Sequence, residues 1–586
     1  MPELITRPAS GSSHRIGIEA LVQRHELRHI AEWIINTEGL ERLLAQSSRA
    51  ESDGSIFDRL LHSLDIRVNC SPADLERIPA TGPVLLVANH PHGLLDGLIL
   101  GSLLSRRRPD FRLLANTVLR QIEEVAPFVI PVRVFDGSPQ LNWLAARDSM
   151  RWLQKGGALA AFPAGEVSGL SGMPPRVVDN DWSSGPAQVA QRASAMIVPA
   201  HISGQNSFAF QLAGVANRSL RTLLLGRELL RKRGSAIRVT VGLPSRASDA
   251  DVSGEYLRRR TYAIGCRVVE TTDQSITPLH RAPVAMPQSS RALNEDIRKL
   301  GEEALLFSCR DYRVFVACAR DLPSILPEIG RLREVTFRDA GEGTGRSTDL
   351  DRFDDHYEHL FLWNPARSEL VGAYRLGLVD RVTATAGLSG LYSNSLFRYS
   401  PHFIQSISPG LELGRSFVRA EYQRTPQALY ALWRGIGAYV ARHPEVQYLF
   451  GPVSISNYYN RGSRDLMVRY FRSKGTGSFA AVAARTPFRI ALDRFASEIN
   501  SLDELNATVS DIEPDGKGIP ILLRHYLNLG GRIVGFNVDG SFSDTLDALL
   551  VVDLLKAPPR ALAKYMGQSQ FTFWKTFHKA SDDYHQ

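Results

Sequence analysis

The stretch VLLVANHPHGLLDGLIL, residues 84–100, carries the clearest structural pattern in the chain. Its first apolar residues predict a buried strand, and the apolar run after Gly93 predicts a helix. The polar turn between them contains His90, and Asp96 follows six positions later. Because α/β sheets bind ligands beyond the carboxyl ends of their strands, we expect a functional site at this turn. An imidazole held by a carboxylate can act there as a general base.

Short apolar runs of the same kind recur between Pro83 and His280 and alternate with stretches typical of helices. This alternation predicts an α/β domain. The further runs are ALAAFPAG (158–165), AMIVPAHI (195–202) and AIRVTVGLP (236–244).

The segment RAPVAMPQSSRAL, residues 281–293, contains two prolines and a serine pair and has no hydrophobic periodicity. Such composition is typical of a linker, so we predict a first domain over 1–280 and a second over 294–586. The Gly-rich GEGTG at 341–345 does not precede a helix as a phosphate loop should, and we interpret it as a flexible connection.

A mixed α+β arrangement is predicted for the second domain, because several apolar runs of strand length flank one long helical stretch. The strands are expected at YRVFVACA (312–319), HLFLWN (359–364), LVGAYRLGLV (370–379), LELGRSFV (411–418) and YLFGPVSIS (448–456), and the helix at 427–442.

Length and composition narrow the class of protein. A chain of 586 residues is too long for one hydrophobic core. No run of about 18 apolar residues occurs, which predicts that no segment spans a membrane. The N-terminus has no apolar signal region, so we expect a cytoplasmic protein. The four cysteines suit neither a disulfide framework nor a zinc site, and the net charge of +8 predicts an anionic partner: nucleic acid, anionic lipid or an acidic carrier protein.

The residues around His90 resemble the glycerophosphate and lysophospholipid acyltransferases, particularly the branch sometimes described as hemolysin-like. In that family a strand-end His and Asp activate an acceptor hydroxyl, which attacks the thioester of an acyl carrier protein or coenzyme A. The resemblance implies that His90 removes the proton and that Asp96 orients it. The family usually has four residues between His and Asp, whereas five separate His90 from Asp96. His92 therefore remains an alternative base.

Three further stretches occur in the order found in that family, and the shared order strengthens the resemblance. They are FVIPVRVFDG (128–137), FPAGEVSG (162–169) and IVPAHISG (197–204). The resemblance implies that Arg133 binds an acceptor phosphate or carboxylate through paired hydrogen bonds. It also implies that Gly165 and Glu166 hold the acceptor and the loop backbone, and that Pro199 shapes the acyl pocket.

Two segments of the first domain could contact a membrane. A helical stretch at 16–44 has one apolar face, which either packs on the domain or rests on a bilayer. A basic cluster is either a solvated helix face or a docking site for anionic headgroups. Nucleic acid is not expected, because neither aromatic interleaving nor a recognised nucleic-acid module accompanies the charge. The cluster consists of Arg218, Arg221, Arg227, Arg231, Lys232 and Arg233.

In the second domain, residues 411–443 form a predicted strand, a charged loop and a long helix. This segment resembles the ornithine-forming N-acyltransferases, relatives of the acyl-homoserine-lactone synthases in the GNAT superfamily. Such proteins cradle the pantetheine of a carrier-protein thioester with this strand, loop and helix. Residues 517–554 resemble the downstream part of the ornithine enzymes, which the lactone synthases lack, so lactone synthesis is disfavoured.

The match implies roles for several residues of the second domain. Glu412 is the leading candidate for positioning or deprotonating the amine, and Arg415 is expected to support the site or to contact a carboxylate. A spacing of three sends these two side chains to opposite faces of the strand unless a bulge intervenes. Arg419 and Arg424 could reach the carrier phosphate, and Arg375 is a further candidate for substrate binding.

Together these features predict an α/β, glycerolipid-acyltransferase-like domain followed by a GNAT-like α+β domain with a C-terminal extension. The predicted enzyme makes ornithine lipid, N-acylating ornithine with a 3-hydroxyacyl group and then O-acylating the hydroxyl. The expected partners are acyl carrier protein (or acyl-CoA as donor) and the cytoplasmic face of the inner membrane, with no cofactor and no metal. Glycine or serine as the amine, and a hemolysin-like protein without enzymatic activity, remain alternatives.

Overall fold

The computed structural model describes residues 54–116, 120, 123–132, 139–171, 175–216, 221, 224–247, 252–267, 282–309, 311–424, 426–477, 479, 482–490 and 499–584. The apolar face expected at 16–44, Arg133 and Arg218 lie outside these residues. The chain divides into two compact units, before and after residue 267. Within the segment predicted as a linker, residues 282–289 have no regular structure and a helix begins at Ser290.

The first unit alternates strands and helices along the chain. Its strands are β1 (Arg67–Asn69), β2 (Val84–Ala88), β3 (Phe111–Asn116), β4 (Val129–Val132), β5 (Ala158–Ala161), β6 (Gly169–Ser171), β7 (Arg176–Val178), β8 (Met196–Ile202), β9 (Ala236–Val241) and β10 (Ser245–Arg246). Its helices are α1 (Ile56–Ser63), α2 (Pro72–Glu76), α3 (Leu94–Arg107), α4 (Pro139–Gln154), α5 (Gly185–Arg192), α6 (Phe208–Ala216), α7 (Leu225–Arg231) and α8 (Gly254–Gly265).

The main sheet of this unit has the order β1-β9-β8-β2-β5-β3-β4, with β10 paired to β8. Strand β2 lies near the centre, parallel to both β5 and β8, and all five of its residues are buried. Separate apolar cores cover the two faces, one with Phe57 and Ile99 from α1 and α3, the other with Leu153 and Leu257 from α4 and α8. The predicted α/β class is confirmed.

The end of β2 is fixed to the end of β8 by Asn89. Its side-chain nitrogen donates to the Ile202 carbonyl oxygen at 2.9 Å, and its side-chain oxygen accepts from the Ile202 N–H at 2.7 Å. The side-chain amide of Asn89 is buried, and both its nitrogen and its oxygen are hydrogen-bonded. The position at which the following turn begins is therefore fixed. His90 is the next residue.

The second unit holds the remaining elements. Its strands are β11 (Leu305–Cys309), β12 (Tyr312–Cys318), β13 (Glu358–Asn364), β14 (Glu369–Leu378), β15 (Phe397–Arg398), β16 (Gly410–Val418), β17 (Tyr448–Ile455), β18 (Ala483–Ala484), β19 (Arg532–Asp539) and β20 (Thr545–Asp553). Its helices are α9 (Ser290–Lys299), α10 (Ile325–Asp339), α11 (Val379–Ala386), α12 (Pro401–Ser406), α13 (Pro426–Arg442), α14 (Arg461–Ser473), α15 (Leu502–Ile512), α16 (Ile521–Asn528), α17 (Pro559–Met566) and α18 (Gln568–Tyr584).

An eight-stranded sheet, β11-β12-β13-β14-β16-β17-β20-β19, organises this unit. The five predicted strands and the long helix are confirmed, and the segment at 341–345 is a loop. The predicted C-terminal extension supplies β19 and β20, and β20 pairs antiparallel with β17 along eight residues. Helix α13 packs on one face of the sheet through Gly435, and α10 covers the other through Ile329 and Leu332.

Strands β16 and β17 are parallel but pair over only three residues, 410–412 with 448–450. Beyond that point they separate. At Gly451 a Cβ atom would lie 2.0 Å from the Leu413 carbonyl oxygen, so only glycine allows the close approach at which the strands diverge. The gap interrupts the sheet at its centre.

The buried Arg108 should be essential for the stability of the first unit. Its guanidinium donates to the carbonyl oxygens of Pro79, Gly82 and Gly156 and pairs with Asp110 at 2.7 Å. Arg108→Ala would leave these acceptors unsatisfied, so we expect a loss of about 3 kcal/mol of stability. The midpoint of urea unfolding, followed by circular dichroism, measures the loss.

The matched control for this substitution is Arg106→Ala, because Arg106 is two residues away and its pair with Asp58 is half exposed. We expect this variant to lose less than about 1 kcal/mol. Equal losses in the two variants would contradict the role given to Arg108.

Candidate active sites

The first candidate site lies at the carboxyl end of β2, where the His90 ring meets the Asp96 carboxylate. Nδ1 of His90 is 2.9 Å from Oδ2 of Asp96, and Asp96 is fully buried while the His90 side chain is 17% exposed. The ring stacks on Phe162, with 4.2 Å between the ring centres. A carboxylate on Nδ1 favours the tautomer in which Nε2 carries the free lone pair. His90 can therefore accept a proton through Nε2.

The turn between His90 and Asp96 is one residue longer than in the family pattern, and Gly93 accommodates the extra residue. This glycine has φ 82° and ψ −120°, a conformation that other residues rarely adopt, and it caps the start of α3. Asp96, in the first turn of α3, accepts the N–H groups of His92 at 2.8 Å and Gly93 at 2.9 Å. These bonds bring the carboxylate back over the turn, so His90 and Asp96 meet despite the longer spacing.

The alternative base, His92, is directed away from the surface. Its side chain is 2% exposed, and Nε2 lies 2.9 Å from the Ser203 carbonyl oxygen. A Cβ atom on Gly204 would lie 2.9 Å from the ring, so the backbone encloses it closely.

A buried carboxylate that we did not predict, Asp179, supports the same turn. Oδ1 of Asp179 accepts from the His90 N–H at 3.3 Å and from the Ser168 hydroxyl, and Oδ2 accepts from the Trp182 indole at 2.9 Å. Burial raises the pKa of Asp179, although its hydrogen bonds and the nearby His90 oppose the shift. Asp179 follows β7, and no spacing in the sequence connects it to His90.

The other predicted residues of this unit have identifiable contacts. Gly165 adopts φ 68° in the loop after β5, and Glu166 pairs with Arg221 at 2.9 Å. Pro199 lies in β8 opposite Val87 of β2, and it is buried. The Glu166 carboxylate therefore has a cation partner within the protein.

The second candidate site surrounds Glu412 on β16. Glu412 is 1% exposed, and its carboxylate accepts from the Tyr357 hydroxyl and from the Ser393 N–H at 2.7 Å. The Tyr357 hydroxyl in turn accepts from the Tyr392 N–H at 2.9 Å. Burial raises the pKa of Glu412, and these hydrogen bonds oppose the rise. Glu412 thus connects the central strand to the turn that carries Tyr392.

A bulge in β16 places Arg415 near Glu412. Ala373 of β14 pairs with Phe417 and Arg375 pairs with Gly414, so two residue steps on β14 match three on β16. Arg415 lies in the bulge with φ 48°. The guanidinium carbons of Arg375 and Arg415 both lie 4.8 Å from the centre of the Tyr392 ring. The bulge therefore interrupts the strict alternation of side chains along β16. As a result, Arg375 and Arg415 both contact the Tyr392 ring.

Both arginines are paired with carboxylates from the segment before β13. Arg375 lies 2.7 Å from Asp351 and 3.3 Å from Asp354, and Nε of Arg415 lies 3.3 Å from Asp349. Burial favours a raised pKa at Asp354, but the charges of Arg333 and Arg375 outweigh it and hold the pKa well below its usual range. The predicted substrate contacts of Arg375 and Arg415 therefore compete with pairs inside the protein.

The two loop arginines differ in exposure. Arg419 pairs with Glu369 at 2.8 Å and with Glu421 at 2.9 Å. Arg424 is exposed two residues before α13 begins at Pro426. Arg424 is therefore better placed than Arg419 to contact a group outside the protein.

A pocket occupies the gap between β16 and β17. It passes between the diverging strands at the bulge, next to Arg415. Its lining consists of Tyr374, Leu413, Gly414, Arg415, Ser416, Phe450, Gly451, Pro452, Val453, Leu522, Tyr526 and Leu550.

The described ranges lack a membrane-spanning helix and a metal-binding cluster. None of the helices there is long and apolar enough to cross a membrane. No group of three or more His, Cys, Asp or Glu side chains in those residues is arranged to hold a metal ion.

Each unit matches a family of known proteins. Residues 62–267 match the family described as "Acyltransferase", and residues 332–434 match the family described as "Acetyltransferase (GNAT) domain". These matches confirm an acyltransferase-like first domain and a GNAT domain in the second.

Two individual relatives agree with the two matches. A glycine N(alpha)-acyltransferase from Phocaeicola vulgatus is 33% identical over 294 residues, which cover 46% of this chain and 87% of that protein. A lyso-glycine lipid O-acyltransferase from the same organism is 29% identical over 199 residues, covering 32% of this chain and 67% of that protein. The 1-acyl-sn-glycerophosphate acyltransferase PlsC from Thermotoga maritima has 14% identity and a TM-score of 0.24, covering 44% of this chain and 99% of that structure.

The glycine N(alpha)-acyltransferase is more than 30% identical to this chain along most of its own length. Its reaction type, acyl transfer, agrees with both family matches. The protein is therefore an acyltransferase. It belongs to the same family as the Phocaeicola N-acyltransferase, and it carries a GNAT domain and a second acyltransferase domain on one chain.

Proposed function

We propose that this chain makes an aminolipid in two steps, with ornithine as the amine. The GNAT unit transfers a 3-hydroxyacyl group from acyl carrier protein to the α-amine, and the first unit then acylates the hydroxyl of that chain. The observation that carries the proposal is the presence, on one chain, of relatives of both an N-acyltransferase and a lysolipid O-acyltransferase. Those two relatives are named for glycine, so glycine is the second candidate amine.

In the ester-forming step His90 acts as the general base. Nε2 takes the proton from the acceptor hydroxyl while the oxygen attacks the thioester carbon; the C–O bond forms, the C–S bond breaks, and the thiolate receives the proton. Asp96 stabilises the imidazolium through Nδ1, at 2.9 Å. His92 fits this role poorly, because its ring is buried against Ser203. Glu166 and Arg221 would border the acceptor.

In the amide-forming step a neutral amine attacks the thioester, the C–N bond forms, the C–S bond breaks, and the leaving thiolate takes the proton that the nitrogen loses. We propose that the pantetheine arm occupies the pocket between β16 and β17, with Arg424 and the start of α13 near its phosphate. The Glu412 carboxylate is buried and satisfied by Tyr357 and Ser393. This arrangement favours positioning of the Tyr392 turn over direct removal of a proton.

We propose that the first unit contacts the cytoplasmic face of the inner membrane through α6. Phe208, Leu212 and Val215 are 71%, 50% and 72% exposed and recur at helical spacing on one face. Ser207, directly before α6, hydrogen-bonds to Glu228 of α7. This contact holds the exposed cations of α7 close to α6. An apolar stripe beside cations suits an anionic lipid surface.

His90→Ala should abolish ester formation and accumulate the monoacyl lyso-lipid, because loss of a general base typically costs ~10²–10⁴-fold in rate. Expression in bacteria without aminolipids, followed by mass spectrometry of the lipids, measures both products and identifies the amine. His92→Ala is the paired variant and should keep some diacyl product. Full diacyl product in the His90 variant, with loss in the His92 variant, would reverse the choice of base.

Glu412→Ala should eliminate both monoacyl and diacyl products, because without the amide no hydroxyl reaches the first unit. The same extraction and mass spectrometry apply. When synthetic lyso-lipid is supplied, this variant should still form the diacyl product, which separates loss of the amide step from loss of the whole protein. Lyso-lipid made by the Glu412 variant itself would refute the assignment of steps to units.

Phe208→Glu together with Leu212→Glu should weaken binding to anionic vesicles at least ~10-fold, because two charges would enter the apolar contact. Co-sedimentation measures the binding, which should also fall with salt because the Debye length is ~8 Å at physiological ionic strength. The control is Trp143→Glu on α4, where the indole is 62% exposed. Loss of binding in the Trp143 variant alone would place the contact at α4 instead.

A further inference from the structure

Asp547, on β20 in the second unit, is a buried carboxylate without a partner. It is 5% exposed, and its Oδ2 is buried without a hydrogen bond among the described residues. Neither a hydrogen bond nor an ion pair to its side chain is found in that part of the chain. A buried carboxylate is costly unless a donor or cation satisfies it, and exceptions of this kind mark functional sites.

Two more carboxylates gather on the same face of the sheet. Asp547 lies opposite Ser454 of β17 and opposite Asn537 of β19, and opposed residues of antiparallel strands share a face. The Ser454 hydroxyl donates to Glu342 at 3.0 Å, and Asp539 is two residues along from Asn537. Glu342 and Asp539 are 5% and 4% exposed. We name Glu342, Asp539 and Asp547 the acidic pocket.

The members of the acidic pocket lie close enough to affect one another's ionisation. Burial raises the pKa of Asp547 well above its usual range, and the charges of Asp539 and Glu342 raise it further. Burial also raises the pKa of Glu342 to about 7. Arg415 opposes both shifts, but its guanidinium is already 3.3 Å from Asp349. Full ionisation of these carboxylates would therefore place more negative charge in the pocket than the neighbouring cation balances.

Tyr392 provides an independent indication of a ligand. It is 7% exposed, and its hydroxyl makes no hydrogen bond within the ranges that the structure describes. Burial raises the pKa of this phenol, the charge of Arg415 opposes the rise, and the charges of Asp547 and Asp539 add to it, so the phenol lies within electrostatic reach of the acidic pocket. The Tyr392 N–H donates to Tyr357, which donates to Glu412. The acidic pocket therefore adjoins the Glu412 site.

We propose that the acidic pocket binds an ammonium group of the acceptor. An ammonium is a compact cation with three donors, which matches the carboxylates of the acidic pocket and the Tyr392 hydroxyl. With the cation bound, Asp547 ionises and its buried charge is compensated.

The inference rests on the proposed function and identifies the class of amine. The attacking amine must be neutral when it reaches the thioester, whereas an amine held by ionised carboxylates keeps its proton. The group in the acidic pocket is therefore a second amine, which does not react, and the acceptor is a diamino acid. Glycine has only one amine and would leave Asp547 unpaired. Arg415 lines the gap between β16 and β17, so the pocket lies beside the proposed path of the thioester.

The test compares ornithine with norvaline, which has the same carbon chain without the side-chain amine. With the full chain and acyl carrier protein thioester, kcat/KM for amide formation should be roughly 100-fold or more higher for ornithine. Asp547→Asn removes the charge at nearly the same volume. In this variant the preference should fall below about tenfold, through a higher KM for ornithine, while kcat/KM for norvaline stays unchanged.

The matched control is Asp553→Asn, because Asp553 lies on the same strand and already pairs with Lys556 at 3.0 Å. It should keep the preference for ornithine. Equal use of ornithine and norvaline by the wild-type chain, or an unchanged preference in the Asp547 variant, would overturn the inference while amide synthesis itself stands. A wild-type chain that acylates ornithine, norvaline and glycine equally poorly would instead refute the proposed function, and the inference with it.

Discussion

A carboxylate can be buried only where donors or cations satisfy it, and this requirement organises both candidate sites. In the first unit Asp96 collects two N–H groups and the His90 ring, and this fixes the direction of the imidazole. In the second unit Glu412 collects Tyr357 and Ser393, and this fixes the turn beside the central strand. Each carboxylate accepts backbone N–H groups from a turn, where no sheet hydrogen bond uses them.

Asp547 departs from the same requirement. Its strand is paired on both sides, so the backbone offers it no donor, and the nearest guanidinium, that of Arg415, is already occupied by Asp349. Leaving the Asp547 carboxylate buried and unpaired costs free energy in the protein without substrate, and another interaction must offset this cost. Binding of a cationic substrate would recover it, and the cost in the empty protein then contributes to selectivity for that substrate.

Two interruptions of the central sheet explain how a donor and an acceptor could meet in the second unit. The bulge at Arg415 turns the guanidinium onto Tyr392, and the separation of β16 from β17 after three paired residues leaves a pocket between them. Continuous pairing would have closed that pocket. The C-terminal extension contributes to the same region, because β20 completes the sheet beside β17 and carries Asp547.

The sequence by itself determined the two domain classes, the main strands, and the pairing of His90 with Asp96, because these depend on hydrophobic periodicity and on residues close together in the chain. Tertiary structure alone decided which charged groups face one another. Asp179 reaches His90 from 89 positions away, Arg375 and Arg415 meet at Tyr392, and Asp547 lies opposite Ser454, whose hydroxyl bonds to Glu342. Such contacts depend on strand order, register and a bulge, and local sequence patterns do not encode these features.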